Sequence, residues 1–295
     1  MSAHTKLKVA VLGAGLIGVD LLHKIRSSQH LECGLVVGRS TQTVGLLRAA
    51  EMGLATTAGG IAALLDSEDA FDLVFDASNA DSHAEHWRLL EPTEAVFIDL
   101  TPHNSGTLTV PTVNGAQALT DRHISLISCG GQASIPVLHA IAQHRTPTYV
   151  EVVSTGASRS AGRATRLNLD EYIATTQDAI RTFTGAQAAK VMVNVTPAVP
   201  PPPFRVCMTV LAPDVDPDPV RDLVDAAAHT VRRFAPGYRV TEFETAKGRV
   251  SVTVEVSATG GRLPEHAGNL DIINAAAIHL AGLRATSLTT EGAGA

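Results

Sequence analysis

The chain has 295 residues, an apolar fraction of 45% and a formal net charge of −6. This length allows one large domain or two smaller ones, and the composition is that of a globular protein without extended disorder. The negative charge and the lack of a basic block exclude a nucleic-acid partner, and the lack of any run of roughly 18 apolar residues excludes a membrane-spanning helix.

The first part of the chain alternates strand-like and helical patterns. Four runs rich in Val, Leu, Ile and Phe are typical of buried strands: Leu7–Leu12, Leu31–Val37, Asp72–Ala77 and Ala95–Leu100. Helical spacing of apolar residues separates these runs, at Leu16–Gln29, Val44–Met52 and Ala80–Leu90. Alternation of this kind predicts an α/β fold with a parallel sheet that carries helices on both faces.

The pattern changes after residue 128. Longer strands are predicted at Thr148–Ser158, Ala189–Val195, Phe204–Leu211 and Arg249–Ser257. Helices are predicted at about Leu169–Thr184, Pro219–Phe234 and Leu270–Leu283, followed by a frayed tail from Thr286 to Ala295. The strand from Arg249 alternates apolar and polar residues, as half-buried antiparallel strands do. We therefore predict a C-terminal α+β domain with a mostly antiparallel sheet.

The first strand leads into a glycine-rich turn, Gly13-Ala14-Gly15-Leu16-Ile17-Gly18, which fits GxGxxG. Such glycines allow a tight turn, a close approach of the backbone to a pyrophosphate and close packing of helix on strand, and the N-terminus of the following helix attracts the anion. A glycine-rich turn without a ligand has the same spacing. Because this turn joins a predicted strand to a predicted helix, we expect it to bind a nicotinamide dinucleotide.

The end of the second strand indicates the type of dinucleotide. NAD-dependent enzymes usually have an acidic residue there, which accepts hydrogen bonds from the ribose hydroxyls. This chain has Arg39 and Ser40 instead. A cation and a hydroxyl suit the 2′-phosphate of NADP, so the sequence favours NADP; Arg39 as a solvated surface charge with NAD as cofactor is the alternative.

Cys129 is the candidate nucleophile. It lies between a predicted strand, Ile124–Ile127, and a predicted helix, Ile135–Gln143, which Ser134 could cap and in whose first turn Pro136 fits. A thiol at a helix N-terminus has a lowered pKa, and the amides of Gly130 and Gly131 could hold an oxyanion. Cys33 and Cys207 lie within apolar strand patterns and are expected to be small core residues.

Four segments together resemble the acetylating acetaldehyde dehydrogenases of bacterial meta-cleavage pathways. They are Gly13–Gly18, Ser128–Pro136, Ser158–Arg166 with Asn168–Glu171 following, and Ala267–Ile272. The resemblance implies a dinucleotide-binding Rossmann domain at 1–128, completed by a C-terminal helix at 268–285. It implies a catalytic and dimerisation domain at 129–267, like that of the aspartate-semialdehyde and glyceraldehyde-phosphate dehydrogenases.

The resemblance also implies the chemistry. Cys129 would attack an aldehyde, the nicotinamide would take a hydride, and the thioester would pass its acyl group to coenzyme A. Further cofactor contacts are implied for Asn269 and for Ser158, Arg159, Ser160, Ala161, Gly162, Arg163, Ala164, Thr165 and Arg166. A homodimer and a 4-hydroxy-2-oxovalerate aldolase partner that supplies the aldehyde are implied as well.

The chain departs from the family pattern at several places. Leu16 stands where the family loop has Asn, Arg163-Ala164 replaces Pro-Gly, and Arg39 replaces an acidic residue. Val206 stands in place of a carboxylate that could assist acid–base steps, and the region between Tyr238 and Arg249 is shorter than the family's. These changes lie at positions that bear on the cofactor type and on a surface for an aldolase partner.

The remaining candidates are histidines and arginines. His266 could replace the lost carboxylate as a general base, although a solvent-facing histidine is the simpler interpretation. The three arginines of Ser158–Arg166 could bind the phosphates of coenzyme A or of the dinucleotide, or form surface ion pairs. His83 and His86 are expected to decorate a helix face. The three cysteines and twelve histidines form no metal motif, so we expect no metal site.

The favoured hypothesis is an acylating dehydrogenase for a short aldehyde, or the reverse reduction of an acyl-CoA. A semialdehyde dehydrogenase with another acyl acceptor is the first alternative, and a catalytically weakened partner subunit of an aldolase is the second. Because Lys6 and Lys8 interrupt the apolar start of the chain, we expect no signal peptide and a cytoplasmic enzyme.

Overall fold

The computed structural model describes residues 6–213, 215–260 and 262–292. These residues form two compact units, one made of the chain to Leu126 together with the chain from Ala277, and the other of Ile127–Ala276. Helix α10 crosses this division, whereas the sequence assigns 268–285 entirely to the first domain. The functions of the two parts stay predictions.

The first unit is a doubly wound parallel sheet. Its strands are β1 Leu7–Leu12, β2 Leu31–Gly38, β3 Thr56–Ala58, β4 Leu73–Asp76, β5 Val96–Asp99, β6 Thr107–Leu108 and β7 His123–Ser125. Its helices are α1 Leu16–Ser27, α2 Val44–Glu51, α3 Gly60–Leu65, α4 Ala80–Leu90 and α5 Pro111–Ala118. The strand order is β3-β2-β1-β4-β5-β7-β6, and every strand pair is parallel. The predicted α/β fold is confirmed.

Apolar packing between the sheet and its helices stabilises the first unit. Val74 and Phe97 of the central strands are buried in one cluster with Ile61 and Leu64 of α3 and Leu90 of α4. Each such side chain contributes roughly 1.5–3 kcal/mol when it leaves water. The packing fixes the carboxyl ends of β1, β4 and β5 at one edge of the sheet, where ligands of such folds bind.

The second unit has a mixed sheet with helices. Its elements are α6 Cys129–His144, β8 Tyr149–Ala157, a 3₁₀ turn Ser158–Ser160, α7 Arg163–Leu167, α8 Leu169–Thr184, β9 Ala188–Thr196, β10 Phe204–Leu211, α9 Pro217–Arg232, β11 Tyr238–Ala246 and β12 Arg249–Val256, followed by α10 Gly268–Gly292. The strand order is β11-β12-β10-β8-β9. The pair β8·β9 is parallel and the other pairs are antiparallel, which confirms the mostly antiparallel sheet.

Helix α6 is held against the second sheet by apolar and polar contacts. The predicted alternation of β12 is confirmed, because Val250, Val252 and Val254 are all buried. The Tyr238 hydroxyl, on β11, donates to the Ala133 carbonyl oxygen of α6 at 2.7 Å. This contact fixes the first turns of the helix that begins with Cys129.

Some predicted boundaries are wrong. The tail from Thr286 was expected to be frayed, but α10 continues to Gly292, since its apolar positions and Arg284 pack within the first unit. Strand β11 and the short elements β3, β6 and α5 were not expected. No helix among the described residues is long and apolar enough to cross a membrane.

Candidate active site

Cys129 is the first residue of α6 and follows a strained turn. Ile127 has φ +67°, a left-handed conformation that costs a β-branched residue roughly 1–3 kcal/mol. Ser128 is the N-cap of α6, and its Oγ accepts a hydrogen bond from the Gly131 amide at 2.9 Å. Backbone strain of this kind clusters at functional sites.

Helix α6 starts six residues before the predicted Ile135, and the preceding strand ends at Ser125. The predicted cap at Ser134 is wrong, because its hydroxyl donates to the Gly130 carbonyl oxygen at 2.8 Å within the helix. Pro136 accordingly lies inside the helix. The cap at Ser128 satisfies the Gly131 amide in the first turn, which favours a helix that begins at Cys129.

The two glycine amides have partners already. The Gly130 amide donates to the Tyr172 hydroxyl at 2.8 Å, and the Gly131 amide donates to Ser128 Oγ. The prediction that both amides stand free to hold an oxyanion is therefore wrong for this state of the protein.

Tyr172 of α8 is the side chain that touches the thiol. Its hydroxyl lies 3.6 Å from Cys129 Sγ and 3.4 Å from Ser154 Oγ of β8, and the residue is 5% exposed. A Cβ on Gly130 would come within 2.2 Å of this hydroxyl, so residue 130 must be glycine for the contact to form. One helical turn further, the Thr176 hydroxyl lies 2.7 Å from Ser128 Oγ. Helix α8 thus contacts both the capping Ser128 and the Cys129 thiol.

Burial raises the pKa of the Cys129 thiol to about 11. Hydrogen bonds from Tyr172 and from the backbone amides of Gly130 and Cys129 act in the opposite direction, but burial outweighs them. The predicted lowering of this pKa is wrong, because the helix N-terminus lies among packed side chains and not in water. The residue as a whole is half-buried.

The pH dependence of thiol alkylation tests this environment. Only the thiolate reacts, so the alkylation rate of Cys129 by iodoacetamide should rise about tenfold per pH unit from pH 7 to pH 10. Mass spectrometry of the Cys129 peptide gives the rate at each pH. A rate that is already constant near pH 7 would show that the thiol is ionised in the free protein.

The other two cysteines have different surroundings. Cys33 of β2 and Cys207 of β10 are half-buried, which is less burial than the predicted core position. Burial raises the pKa of the Cys33 thiol to about 11. Cys207 Sγ accepts from the Thr253 hydroxyl at 3.6 Å. Neither cysteine begins a helix, so neither has the helix-start surroundings of Cys129.

The glycine loop of the first unit has two kinds of glycine. Gly13 has φ +97°, and a Cβ there would come within 2.6 Å of the Ala77 carbonyl oxygen. A Cβ on Gly18 would come within 2.0 Å of the Gly13 carbonyl oxygen. Gly15, the N-cap of α1, has nothing within 4 Å of such a Cβ. The fold therefore requires the outer glycines, whereas the open space at Gly15 fits a phosphate group that approaches the start of the helix.

The remaining loop residues and the end of β2 are accessible. Ala14 and Ile17 are half-buried and Leu16 is 45% exposed. Arg39 and Ser40 are both exposed, and the Arg39 side chain makes no hydrogen bond or ion pair with the described residues. This cation is thus free to meet a ligand.

The structure brings Asn269 together with the segment Ser158–Arg166. The Asn269 side-chain amide donates to the Ser160 carbonyl oxygen at 3.1 Å, while its Oδ1, although buried, has no hydrogen-bond partner among the described residues. An unsatisfied buried acceptor fits a ligand that carries N–H donors, as the nicotinamide carboxamide does.

The three arginines of this segment differ. All are exposed, but Arg166 donates to the Ser158 and Ala161 carbonyl oxygens at 2.9 and 3.1 Å and so holds its own loop. Arg159 and Arg163 make no such contact among the described residues and remain candidates for a phosphate. His266 is half-buried, and no hydrogen bond or ion pair in the described chain joins it to Cys129.

Sequence reasoning missed the residues around the thiol. Tyr172 and Thr176 are one helical turn apart on α8, and Ser154 follows Val150 and Val152 on the buried face of β8. A polar residue on an otherwise apolar buried face was the available signal. The distance along the chain hid the contact, since Tyr172 lies 43 residues beyond Cys129.

The chain is similar to known proteins along most of its length. Residues 129–264 match the family described as prokaryotic acetaldehyde dehydrogenase, dimerisation. An acetaldehyde dehydrogenase from Streptomyces griseus is 52% identical over 92% of this chain and 88% of that protein. One from Pectobacterium atrosepticum is 44% identical over 92% of this chain and 94% of that protein.

A solved structure shares the fold at low sequence identity. Aspartate semialdehyde dehydrogenase II from Vibrio cholerae, solved in complex with ASA, matches with a TM-score of 0.63 and 15% identity, over 97% of this chain and 99% of that one. At this identity the likeness concerns the fold alone.

Proposed function

Since the chain belongs to the prokaryotic acetaldehyde dehydrogenase family, we propose that it oxidises a short aldehyde to a thioester on Cys129 and transfers the acyl group to coenzyme A. The observation that carries the proposal is the Cys129 thiol at the strained start of α6, in contact with a buried tyrosine. The same catalyst can reduce an acyl-CoA in the reverse direction.

A nicotinamide dinucleotide fits the residues present and supplies the hydride acceptor when it is bound. The open space at Gly15, the N-cap of α1, supports a pyrophosphate site. The unsatisfied Asn269 Oδ1 supports a contact with an N–H donor. Arg39 and Ser40 are exposed and stand where NAD-dependent enzymes usually have an acidic residue, which favours NADP over NAD.

The protonated thiol needs a route for its proton during attack. The C–S bond forms as the thiol proton passes to the Tyr172 hydroxyl, whose own proton goes to the carbonyl oxygen of the aldehyde. The product is a neutral thiohemiacetal on Cys129, so no separated charge is left in the buried site. The distance of 3.6 Å between the two groups supports this relay, and Ser154 Oγ orients the tyrosine.

A Tyr172→Phe variant tests the relay. It should lower kcat/KM by about 10²-fold at pH 7, the usual contribution of a positioned proton-transfer group. The loss should shrink as the pH rises, because the thiolate then forms without the tyrosine. Tyr149→Phe is the matched control, since its hydroxyl donates to Glu151 on the same strand and is not in contact with Cys129 among the described residues. An unchanged pH–rate profile for Tyr172→Phe would contradict the relay.

The position at which the family has a carboxylate holds no acid–base group in this chain. Val206 is fully buried within β10 and packs as a core residue, and His266 is not joined to the thiol. Tyr172 is the polar group in contact with Sγ, which makes a proton-transferring tyrosine the better supported proposal than a histidine base or an inert subunit.

The acyl acceptor separates the proposal from its first alternative. The purified protein should form NADPH from acetaldehyde and NADP only when coenzyme A is present, and NAD should be the poorer substrate. Replacing coenzyme A by inorganic phosphate tests the semialdehyde-dehydrogenase alternative, which rests on the arginines of Ser158–Arg166 and on Val206 in place of the family carboxylate. Turnover with phosphate and without coenzyme A would contradict acyl transfer to coenzyme A.

Two assembly proposals follow from family membership. The match over 129–264 concerns dimerisation, which supports a homodimer formed through the second unit, with the first unit binding the dinucleotide. A 4-hydroxy-2-oxovalerate aldolase partner, which the sequence resemblance implies, also stays a proposal.

A further inference from the structure

Three buried ionisable side chains meet in the first unit, at the carboxyl ends of β4 and β5. Asp76 ends β4, Asp99 ends β5 and His83 lies in the first turn of α4. All three are 0% exposed, and one ligand atom from each lies within 4.8 Å of the others. The prediction that His83 and His86 decorate a helix face is wrong, because α4 turns both rings towards the ends of the strands.

The central contact of this cluster is a short His–carboxylate pair without good hydrogen-bond geometry. His83 Nδ1 lies 2.7 Å from Asp99 Oδ2, yet both atoms are without a hydrogen-bond partner of acceptable geometry. Buried polar atoms in native proteins are almost always paired. Two possible metal-ligand atoms therefore lie side by side without a well-directed hydrogen bond between them, and a cation could bind both.

The outer atoms of the same side chains are all fixed. His83 Nε2 lies 2.9 Å from His123 Nε2, and when His83 donates there its Nδ1 keeps a lone pair. Asp76 Oδ2 accepts from His86 Nδ1 at 2.7 Å and Asp76 Oδ1 accepts from the Ser78 amide at 2.9 Å. Asp99 Oδ1 accepts from the Thr101 amide at 2.7 Å. Metal-binding histidines and carboxylates have such outer partners, which orient their free lone pairs towards the ion.

We propose that Asp76, His83 and Asp99 bind one divalent transition-metal ion of the zinc type. One imidazole nitrogen and two carboxylate oxygens are a ligand set that zinc accepts, with a fourth position for water. The ion would balance the charge of the two buried carboxylates and join β4, β5 and α4. Spacing along the sequence hides the site, since its ligands come from three separate elements.

Metal analysis of the full chain tests the site. The protein is produced with added Zn²⁺, dialysed against metal-free buffer and analysed by inductively coupled plasma mass spectrometry. We expect about one zinc per chain, as in structural sites with fixed ligands. Protein produced with Co²⁺ should show the visible absorption of a tetrahedral site.

Two variants should remove the metal and one should keep it. Asp99→Asn keeps the shape of the side chain and the oxygen that accepts from Thr101. The single variants Asp99→Asn and His83→Gln should each bind less than a tenth of the wild-type zinc. His103→Gln is the matched control, because its ring stacks on His83 at 4.4 Å but is not a ligand. Circular dichroism checks that each variant is folded.

Two outcomes would overturn the proposal. The first is a folded wild-type protein without zinc, cobalt or manganese after growth with each metal, which would leave a buried imidazolium–carboxylate pair. The second is a folded Asp99→Asn protein with wild-type metal content, which would place the ion elsewhere. The metal content of the wild-type protein alone decides whether the site binds an ion, so the test holds even where His83→Gln fails to fold. The test does not depend on dehydrogenase activity.

Discussion

A Cys129→Ala variant should lose aldehyde-dependent reduction of the dinucleotide by at least about 10⁴-fold, the scale of losing a covalent nucleophile. The thioester forms only on this sulfur, and the neighbouring Tyr172 and Ser128 cannot replace it. Alanine retains the helix start, since the cap between Ser128 Oγ and the Gly131 amide is untouched. Absorbance of the reduced dinucleotide measures the loss.

Cys33→Ala and Cys207→Ala are the matched controls for that result. Both cysteines are half-buried strand residues outside helix starts, so both variants should keep wild-type turnover. Thermal unfolding of all three variants separates loss of chemistry from loss of structure. Turnover by folded Cys129→Ala within tenfold of wild type would refute covalent catalysis by this residue.

A Gly15→Ala variant should fold normally and bind the dinucleotide at least tenfold more weakly, a change of about 1.4 kcal/mol. The added methyl group meets no atom of the protein within 4 Å, and its backbone conformation, φ −77° and ψ −164°, suits alanine. It would, however, occupy the space over the start of α1 where the pyrophosphate is proposed to bind. Titration calorimetry with NADPH and NADH measures the affinity of each.

Gly18→Ala provides the contrast within the same loop. Its Cβ would come within 2.0 Å of a backbone oxygen, so this variant should lower the melting temperature even without ligand. Gly15→Ala should leave the melting temperature of the free protein unchanged. An unaltered NADPH affinity of Gly15→Ala would mean that the phosphates do not pass over this residue.

Local patterns predicted the first unit well. The strand before Gly13, the glycine turn and α1 follow one another along the chain, so apolar runs and glycine positions were sufficient to place them. The alternation of strand and helix then predicted a parallel sheet. The sequence did not predict the two-residue β6 or the three-residue β3, because two or three residues are too few to show an apolar periodicity.

Contacts between distant elements could not be predicted. The sequence indicated a thiol at a helix start, but its raised pKa depends on burial beneath α8, which no local pattern encodes. The predicted start of α6 was wrong for a related reason. Pro136 is typical of the first turn of a helix, but the cap at Ser128 starts the helix at Cys129. The cluster of Asp76, His83 and Asp99 likewise joins three elements through tertiary packing.

The most direct test of the account is a search for the acyl group on the enzyme. The protein is incubated with acetaldehyde and NADP in the absence of coenzyme A, quenched in acid and digested, and its peptides are analysed by mass spectrometry. An acetyl group on the peptide with Cys129, lost again when coenzyme A is added before quenching, is the predicted result. A protein that reduces NADP under turnover conditions but never shows acetyl on Cys129 would contradict the account.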